Sequence, residues 1–346
     1  MPNQFLSDEF GDIEDYFVTD YWLIDNFVGD TLFTWGTRNE GRLGTNDNQH
    51  KLTPVTTFAG GTTWKQASGG ESHTVAIKTD GSLWTWGWNN DGQLGNFSNT
   101  TRSTAVTTFA GGNNWKSSTT GPFHVGAIKT DGSLWLWGNG GQGRLGTNDE
   151  TSRNTPVTTF AGGTNWKSVS PGSSHTTAIK TDGTLWIWGR NYNFSVLGIN
   201  RNSELSQLTP ITTFAGGTNW KQVSASDRFT AAIKTDGTLW MWGRNSYGQL
   251  GTSDTNTKST PVTTFAGGTN WKLVSCSNSG TNTAIKTDGT LWVWGFGGYQ
   301  GELGINVVGS RSTPVTTFAG GTNWKSVSVG PNHTAAVKSG LNVDLS

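Results

Sequence analysis

Hydrophobic and polar positions repeat along this chain with a period of about fifty residues. The clearest copy runs from Lys78 to Gly87 and reads Lys-Thr-Asp-Gly-Ser-Leu-Trp-Thr-Trp-Gly. Its second tryptophan recurs in steps of 51, 51, 51, 54 and 52 residues, at Trp35, Trp86, Trp137, Trp188, Trp242 and Trp294. A period of this length, kept over the whole chain, is typical of repeat architectures.

Each repeat predicts four short strands, which we call a to d. In the first full copy they are Trp64–Ser68, His73–Lys78, Leu83–Trp86 and Ala105–Phe109. Asp-Gly between strands b and c is a strong hairpin signal. In strand c, alternate side chains point to opposite faces, and both sets are largely apolar across the copies. A sheet that is apolar on both faces must be covered on both sides, and the radial four-stranded sheets of a β-propeller provide that cover.

The repeats therefore predict an all-β fold, a single β-propeller of six four-stranded blades. The chain begins with strands c and d and ends with strands a and b, so we expect these N- and C-terminal strands to share one blade and close the ring. The alternative is seven blades, with Trp22–Phe27 as an additional strand. We divide the chain into an N-terminal arm at 1–30, the propeller at 31–340 and a tail at 341–346.

Composition agrees with many short strands and turns. Charged residues make up 14% of the 346 residues, and there are 49 glycines, whereas helices need more charged residues and alanine. The single cysteine, Cys276, excludes an intrachain disulfide. No apolar run approaches the roughly 20 residues of a membrane span, and the N-terminus lacks a signal-peptide core. We expect a soluble protein without a membrane span, located in a virion or, if cellular, in the cytosol.

The arm is both acidic and aromatic. Residues 1–30 contain eight Asp and Glu residues and no Lys or Arg. A purely disordered tail normally has few aromatic residues, so we expect the arm to become ordered against a surface. The aromatic residues predicted to dock are Tyr16, Phe17, Tyr21, Trp22 and Phe27.

The elements His-Thr-x-Ala-Ile-Lys-Thr-Asp-Gly-x-Leu-Trp-x-Trp-Gly and Asn-x-x-Gly-Gln-Leu-Gly resemble the repeat of the regulator of chromosome condensation family. The resemblance covers about 31–340 and implies a propeller, which in that family usually has seven blades. Phe229 and Thr281 depart from the pattern by replacing the histidine, and Phe194-Ser195-Val196 replaces Gly-Gln. The family includes an exchange factor for a nuclear small GTPase, and a secreted β-lactamase inhibitor has the same fold. The arm more weakly resembles leaders of bacteriophage structural proteins.

Alternating strands place the a–b turns and c–d loops on one side of the ring, which we call the variable face. The b–c turns and d–a loops form the opposite, uniform face. Loops of the variable face differ between copies and carry aromatic residues and arginines, which are enriched at recognition hot spots; the alternative is drift in loops that pack against nothing. The candidate partner-binding residues are Trp88, Arg102, Phe123, Arg190, Tyr192, Phe194, Arg201, Arg228, Arg244, Tyr247, Phe296 and Tyr299.

The uniform face carries twelve lysines and five turn aspartates. Such a basic ring is suited to an acidic partner such as the arm, and the alternative is a solvated fringe that keeps strand ends soluble. The histidines occur one per repeat, at His73, His124, His175 and His333, which favours structural hydrogen bonds over catalysis. We expect no catalytic residue, no metal site and no cofactor.

These patterns predict a non-enzymatic binding or structural propeller. The arm would attach it to a larger homo- or hetero-oligomeric assembly, such as a phage virion. The variable face would meet a protein partner or a surface glycan, and no nucleic acid is expected. The alternative is a regulator of another protein, either a GTPase exchange factor or an enzyme inhibitor, acting through the same face.

Overall fold

Each complete repeat folds into four antiparallel strands that follow one another across the sheet. A computed structural model describes residues 30–37, 39–47, 49–191, 195–200, 206–298, 301–330 and 333–339. The described chain begins with a two-stranded N-terminal half-sheet, β1 (Phe33–Gly36) and β2 (Lys51–Thr56). One-turn 3-10 helices lie at Asn39–Gly41 and Gly141–Gly143.

Five complete sheets, blades I to V, come next, and a two-stranded C-terminal half-sheet follows them. Blade I contains β3 (Trp64–Gly69), β4 (His73–Lys78), β5 (Leu83–Gly87) and β6 (Arg102–Thr107). Blade II contains β7 (Trp115–Thr120), β8 (His124–Lys129), β9 (Leu134–Gly138) and β10 (Arg153–Thr158). Blade III contains β11 (Trp166–Pro171), β12 (His175–Lys180), β13 (Leu185–Gly189) and β14 (Gln207–Thr212). Blade IV contains β15 (Trp220–Ala225), β16 (Phe229–Lys234), β17 (Leu239–Gly243) and β18 (Lys258–Thr263). Blade V contains β19 (Trp271–Cys276), β20 (Thr281–Lys286), β21 (Leu291–Gly295) and β22 (Arg311–Thr316), and the C-terminal half-sheet contains β23 (Trp324–Val329) and β24 (Thr334–Lys338).

The predicted all-β propeller of repeated four-stranded sheets is confirmed. Strand b was predicted with its observed bounds, but strand d starts earlier, at Arg102, and ends at Thr107. The pairing between β5 and β6 shifts register between Thr85 and Gly87, where Gly87 lies opposite Arg102. Because the strand ends at Thr107, Phe109 falls beyond it instead of inside it.

The core lies between neighbouring blades, as the two apolar faces of strand c predicted. One such interface joins Val75, Ile77 and Leu83 of blade I to Trp115, Val125, Ala127 and Trp137 of blade II. Trp115 meets Trp137 edge-on, with ring centres 6.2 Å apart. Edge-to-face aromatic pairs add to the burial of their large apolar surfaces. The same arrangement recurs at each join between complete blades.

The second tryptophan of strand c also ties each blade to the loop of the preceding one. Nε1 of Trp137 donates a hydrogen bond to the carbonyl of Gln93 at 2.8 Å, and Trp86, Trp188 and Trp294 make equivalent bonds. Nε1 of Trp242 has no such partner among the described residues. The loop that precedes it contains the Ser195-Val196 departure from the repeat pattern. A local change of sequence thus leaves one buried donor of the next blade unpaired within the described structure.

The expected blade shared by the N- and C-terminal strands is not formed between the described residues. The N- and C-terminal half-sheets carry the predicted strands c, d and a, b, but they form two separate sheets. The alternative strand at Trp22–Phe27 lies outside the described residues.

Candidate partner-binding face

Four of the predicted residues meet at the junction of blades IV and V. The guanidinium carbon of Arg244 lies 5.3 Å from the ring centre of Tyr247. The rings of Tyr247 and Phe296 meet edge-on, with centres 5.1 Å apart. The carbonyl of Arg228 accepts a 2.8 Å hydrogen bond from the backbone nitrogen of Arg244, and Nε of Arg228 lies 2.8 Å from Oδ2 of Asp227. Since Tyr247 is 42% exposed, this cluster presents an aromatic and cationic surface to solvent.

Buried amide side chains hold the loop that carries Tyr247. Nδ2 of Asn245 donates to the carbonyl of Asp254 at 2.9 Å, and its Oδ1 accepts from the backbone nitrogen of Leu250 at 2.8 Å. The backbone nitrogen of Tyr247 donates to Oε1 of Gln249 at 2.8 Å. The Asn and Gln of the Asn-x-x-Gly-Gln-Leu-Gly motif are therefore structural. A loop held in this way loses little conformational freedom when a partner binds.

Phe123 lies elsewhere on the variable face, beside a largely buried arginine. The guanidinium carbon of Arg144 is 5.6 Å from the Phe123 ring centre. Nη1 of Arg144 donates to the carbonyl of Ser173 at 2.6 Å, and its Nε donates to the carbonyl of Gly141 at 2.8 Å. Burial lowers the pKa of Arg144 to about 10, against the opposing charge of Asp91, so the side chain stays protonated at neutral pH. Arg144 therefore supports the loops.

The other predicted residues are dispersed around the face or lie outside the described residues. Trp88 and Arg190 are half-buried, and their backbone nitrogens donate to the carbonyls of Ser72 and Ser174 at 2.8 and 2.9 Å. Arg102 is exposed at the start of β6. The predicted residues outside the described part of the chain are Tyr192, Phe194, Arg201, Tyr299 and the arm residues Tyr16, Phe17, Tyr21, Trp22 and Phe27.

Half of the lysines on the uniform face have a structural role. Nζ of Lys78 lies 4.8 Å from the ring centre of Trp64 and 4.6 Å from that of Trp84. The same lysine recurs over one or two tryptophans at Lys129, Lys180, Lys234, Lys286 and Lys338. Cation–π contacts of this kind are attractive. Among the other six lysines of this face, the exposed ones are Lys65, Lys116, Lys167, Lys272 and Lys325.

A series of exposed phenylalanines was missed as a surface by the sequence analysis. One follows strand d in every repeat and is between 63% and 75% exposed, at Phe58, Phe109, Phe160, Phe214, Phe265 and Phe318. Phe97 packs on Phe109 with ring centres 5.1 Å apart. The signal was the repeated Thr-Thr-Phe, which the sequence analysis assigned to the strand because the early end of strand d was not visible.

Three of the four repeated histidines, His73, His124 and His175, are buried between blades, as expected for a structural role, whereas His333 is exposed. Nε2 of His124 is 2.7 Å from Oγ1 of Thr176, and Nε2 of His175 is 2.9 Å from Oγ1 of Thr230. Burial lowers the pKa of His175 to about 3. Among the described residues, no group of three His, Cys, Asp or Glu side chains is placed to hold a metal ion. No helix in that part of the chain is long and apolar enough to cross a membrane.

His73 offers a test of this hydrogen bond. Val125 holds the position of Thr176 and Thr230, and neither ring nitrogen of His73 has a hydrogen-bond partner in the described structure. We expect Val125→Thr to raise the free energy of unfolding by about 1 kcal/mol, because it supplies the missing partner at similar volume. Thr176→Val is the reverse control and should lower it by about 1–2 kcal/mol. Denaturant unfolding measures both, and a loss of stability in both variants would contradict the prediction.

Comparison with known proteins places the chain among propellers of one type. The family model described as RCC1-like domain matches residues 31–343. The ultraviolet-B receptor UVR8 of Arabidopsis thaliana is 32% identical over 294 residues, which cover 83% of this chain and 65% of the receptor. RUG3, a mitochondrial RCC1 domain-containing protein of the same plant, is 30% identical over 276 residues, covering 76% of this chain and 61% of RUG3. The chain thus spans under two thirds of the length of these two relatives.

Solved structures show the same fold. Human WBSCR16 superimposes with a TM-score of 0.76 at 19% identity, over 89% of this chain and 82% of its own. Yeast RCC1 (Prp20), solved bound to Kap60, gives a TM-score of 0.76 at 20% identity, over 89% of this chain and 76% of its own.

Proposed function

Because the chain belongs to the family of RCC1-like domains, we propose that it is a non-enzymatic binding propeller whose variable face contacts a protein partner. The Arg244–Tyr247–Phe296 cluster is the observation that carries this proposal. Arginine and tyrosine are among the residues that dominate binding energy at interfaces. Here they are exposed and supported by buried hydrogen bonds, so little further ordering is needed on binding.

Named partners of the structural neighbours favour a protein over a glycan. Yeast RCC1 was solved with Kap60, and a second structure of yeast Prp20p is described with its binding to Gsp1p and histones. All of these are proteins. Aromatic rings beside an arginine are also suited to a sugar, so a glycan is the competing ligand class on the same surface.

The test compares two faces of the same molecule. We expect the double variant Arg244→Ala, Tyr247→Ala to weaken partner binding by about 30-fold, since a hot spot contributes about 2 kcal/mol or more. The matched control is Lys116→Ala, Lys167→Ala, which removes two exposed side chains from the uniform face. Immobilised protein would be probed with yeast Gsp1p, with histones and with a glycan array.

Binding to a protein probe that is lost in the loop variant and kept in the lysine variant supports the proposal. Equal losses in both variants, or binding confined to the glycan array, would refute it. Far-UV circular dichroism of each variant establishes that the sheets are intact.

A regulator of another protein is the second candidate, because binding to Gsp1p is named for yeast Prp20p. Measuring the release of labelled nucleotide from Gsp1p tests exchange activity directly. Faster release with the native chain, and none with the double variant, would favour an exchange factor over a passive binding module. A separate assay of β-lactamase activity, with and without the chain, would test the inhibitor alternative.

For residues 1–30 we propose a role in attaching the propeller to a larger assembly, including a phage virion. The eight acids of this segment would complement exposed lysines. The chain enters the propeller at the uniform face, where the carbonyl of Asp30 accepts from the backbone nitrogen of Trp64 at 3.2 Å. The carbonyl of Gly81 accepts in the same way from Trp115 at 3.1 Å. Deleting residues 1–29 should abolish attachment and leave the melting temperature of the sheets unchanged, and unaltered attachment would refute this role.

A further inference from the structure

The uniform face presents one exposed phenylalanine in every repeat. Each lies two residues beyond the end of strand d, where the d–a loop begins, and its side chain is between 63% and 75% exposed. The six are Phe58, Phe109, Phe160, Phe214, Phe265 and Phe318. A single exposed apolar side chain is ordinary on a protein surface. The same side chain at six equivalent positions of one face requires an explanation.

Packing within the described residues does not supply that explanation. The ring of Phe109 contacts Phe97 in the c–d loop of the same blade, with centres 5.1 Å apart. Phe97 has a φ of 61°, and polar residues with the same positive φ stand at its position in the other repeats. They are Asn46, Asn148, Asn200, Ser253 and Asn306. The other five phenylalanines therefore have no aromatic ring at this position to pack against.

Common origin of the repeats does not explain the phenylalanines either. The a–b turns have diverged within this chain, for example Gly-Gly-Glu-Ser at 69–72, Thr-Gly-Pro-Phe at 120–123 and Ala-Ser-Asp-Arg at 225–228. The d–a loops of the same repeats all keep Thr-Phe-Ala-Gly-Gly. Because an exposed side chain contributes little to stability, folding alone does not retain it. The repetition therefore indicates a contact made outside the chain.

Equal loop lengths make this face level. Phe109 precedes Trp115 by six residues, and the same spacing holds in all six copies of the d–a loop. Lys78 precedes Leu83 by five residues, and the b–c turns of the other complete blades have the same length. A Cβ on the first glycine of each d–a loop would meet no described atom within 4 Å. These glycines are Gly60, Gly111, Gly162, Gly216, Gly267 and Gly320.

The same face is basic. Among the described residues, its twelve lysines are opposed by five turn aspartates and Asp30, which leaves a net charge of +6. The turn aspartates count at full charge. Oδ1 of Asp80, for example, accepts hydrogen bonds from the hydroxyl and the backbone nitrogen of Ser82 at 2.6 and 2.8 Å, and these bonds lower the pKa of the carboxyl. Lys116, next to the d–a loop, is exposed.

Repetition and charge together select the kind of partner. A folded protein, or the segment 1–29 of this chain, would set a different residue against each repeat, whereas a lipid bilayer presents the same chemistry at all six points. A dissolved polyanion would pair with the lysines but offers no apolar layer to the phenylalanines. Buried apolar area and attraction to acidic headgroups act together when a protein surface binds an anionic membrane.

We propose that the uniform face docks on an anionic lipid bilayer. The six phenylalanines enter the boundary between headgroups and acyl chains, and the lysines face the acidic headgroups. Each phenylalanine makes a weak contact, and six on one surface engage together, so the contacts reinforce one another. The variable face then points away from the membrane and stays available to a protein partner. This docking is independent of the function proposed for the variable face.

Co-sedimentation of the full-length chain with vesicles tests the docking. Vesicles of phosphatidylcholine and phosphatidylserine in equal parts should bind the chain, vesicles of phosphatidylcholine alone should bind it much more weakly, and added salt should weaken binding. The double variant Phe160→Ala, Phe265→Ala should bind about tenfold more weakly, because apolar area is lost at the membrane. Its matched control is Leu52→Ala, Val308→Ala, which removes side chains of 96% and 60% exposure on the variable side. The control should bind like the native chain.

Two further variants separate the lysines from the acidic segment 1–29. Lys116→Ala, Lys167→Ala should weaken binding to the anionic vesicles by about 30-fold, since each lysine near such a surface adds to the attraction. Deletion of residues 1–29 should leave binding at least as tight as that of the full chain, because the acids of that segment no longer compete for the lysines. Far-UV circular dichroism establishes that the sheets of every variant are intact.

Three results would overturn the proposal. The first is a full-length chain that does not bind the anionic vesicles. The second is binding that falls in the lysine variant and not in the phenylalanine variant, which would show attraction of anions without insertion. The third is binding that disappears when residues 1–29 are deleted, which would show that this segment holds the vesicle. Binding of a protein at the variable face would be unaffected in each case, so the two proposals fail separately.

Discussion

Acidification from pH 7 to pH 4.5 is expected to destabilise the folded propeller strongly. His73, His124 and His175 are buried between blades, and burial is the main cause that lowers the pKa of His73 and His175 to about 3. The pKa of His124 also lies well below 6.5, mainly through burial and then through the charge of Arg144. Unfolding returns each histidine to a pKa near 6.5, so the unfolded chain binds more protons in this range. Stability is therefore retained above about pH 6.5 and is lost as the pH falls toward 3.

The size of the loss follows from the number of histidines. Below the pKa that histidine has in the unfolded chain, each buried histidine lowers the free energy of unfolding by about 1.4 kcal/mol per pH unit. Three such histidines lower it by about 4 kcal/mol per pH unit. Since domains are stable by only about 5–15 kcal/mol, the chain should unfold near pH 4–5. Guanidinium denaturation at pH 7, 6 and 5 measures this slope.

A matched variant isolates one of the three histidines. Phe229 occupies the histidine position in blade IV, so His175→Phe is compatible with the blade geometry and removes one titrating group. The variant should reduce the change in the free energy of unfolding with pH by about a third, that is by about 1.4 kcal/mol per pH unit. A free energy of unfolding that stays constant between pH 7 and pH 5 would show that these histidines are accessible to protons in the folded state.

Replacing Trp137 by alanine is expected to cost about 3–5 kcal/mol of stability, as large-to-small changes of buried aromatic residues do. Trp137 is 0% exposed, contacts Trp115 edge-on and donates its indole hydrogen bond to the preceding loop. The substitution therefore opens a cavity between blades I and II and leaves the carbonyl of Gln93 without this donor. Trp137→Phe separates the two contributions, because it keeps most of the volume and removes only the donor.

The control for this variant is Phe160→Ala. Phe160 is 67% exposed, and substitutions at exposed positions usually change stability by no more than about 0.5 kcal/mol. Thermal and chemical unfolding would be measured on all three variants. A similar loss in Trp137→Ala and Phe160→Ala would contradict the placement of the core between the blades.

Local features of the chain were readable in advance because they depend on neighbours in sequence. Alternation along strand c placed apolar side chains on both faces of each sheet, and Thr-Asp-Gly marked the hairpin between strands b and c. Strand b was predicted residue for residue at His73–Lys78. The repeat supplied the fold class, since a sheet that is apolar on both faces must stack between others. The two-face division of turns and loops followed from strand direction alone.

Contacts between blades could not be read in this way, because they join residues about fifty positions apart in sequence. The grouping of Arg244, Tyr247 and Phe296 depends on how blades IV and V are rotated, and the internal hydrogen bonds of Arg144 depend on a turn in the neighbouring blade. Sequence periodicity thus specified the unit and its stacking, and the contacts between blades specified which loop residues meet on the surface.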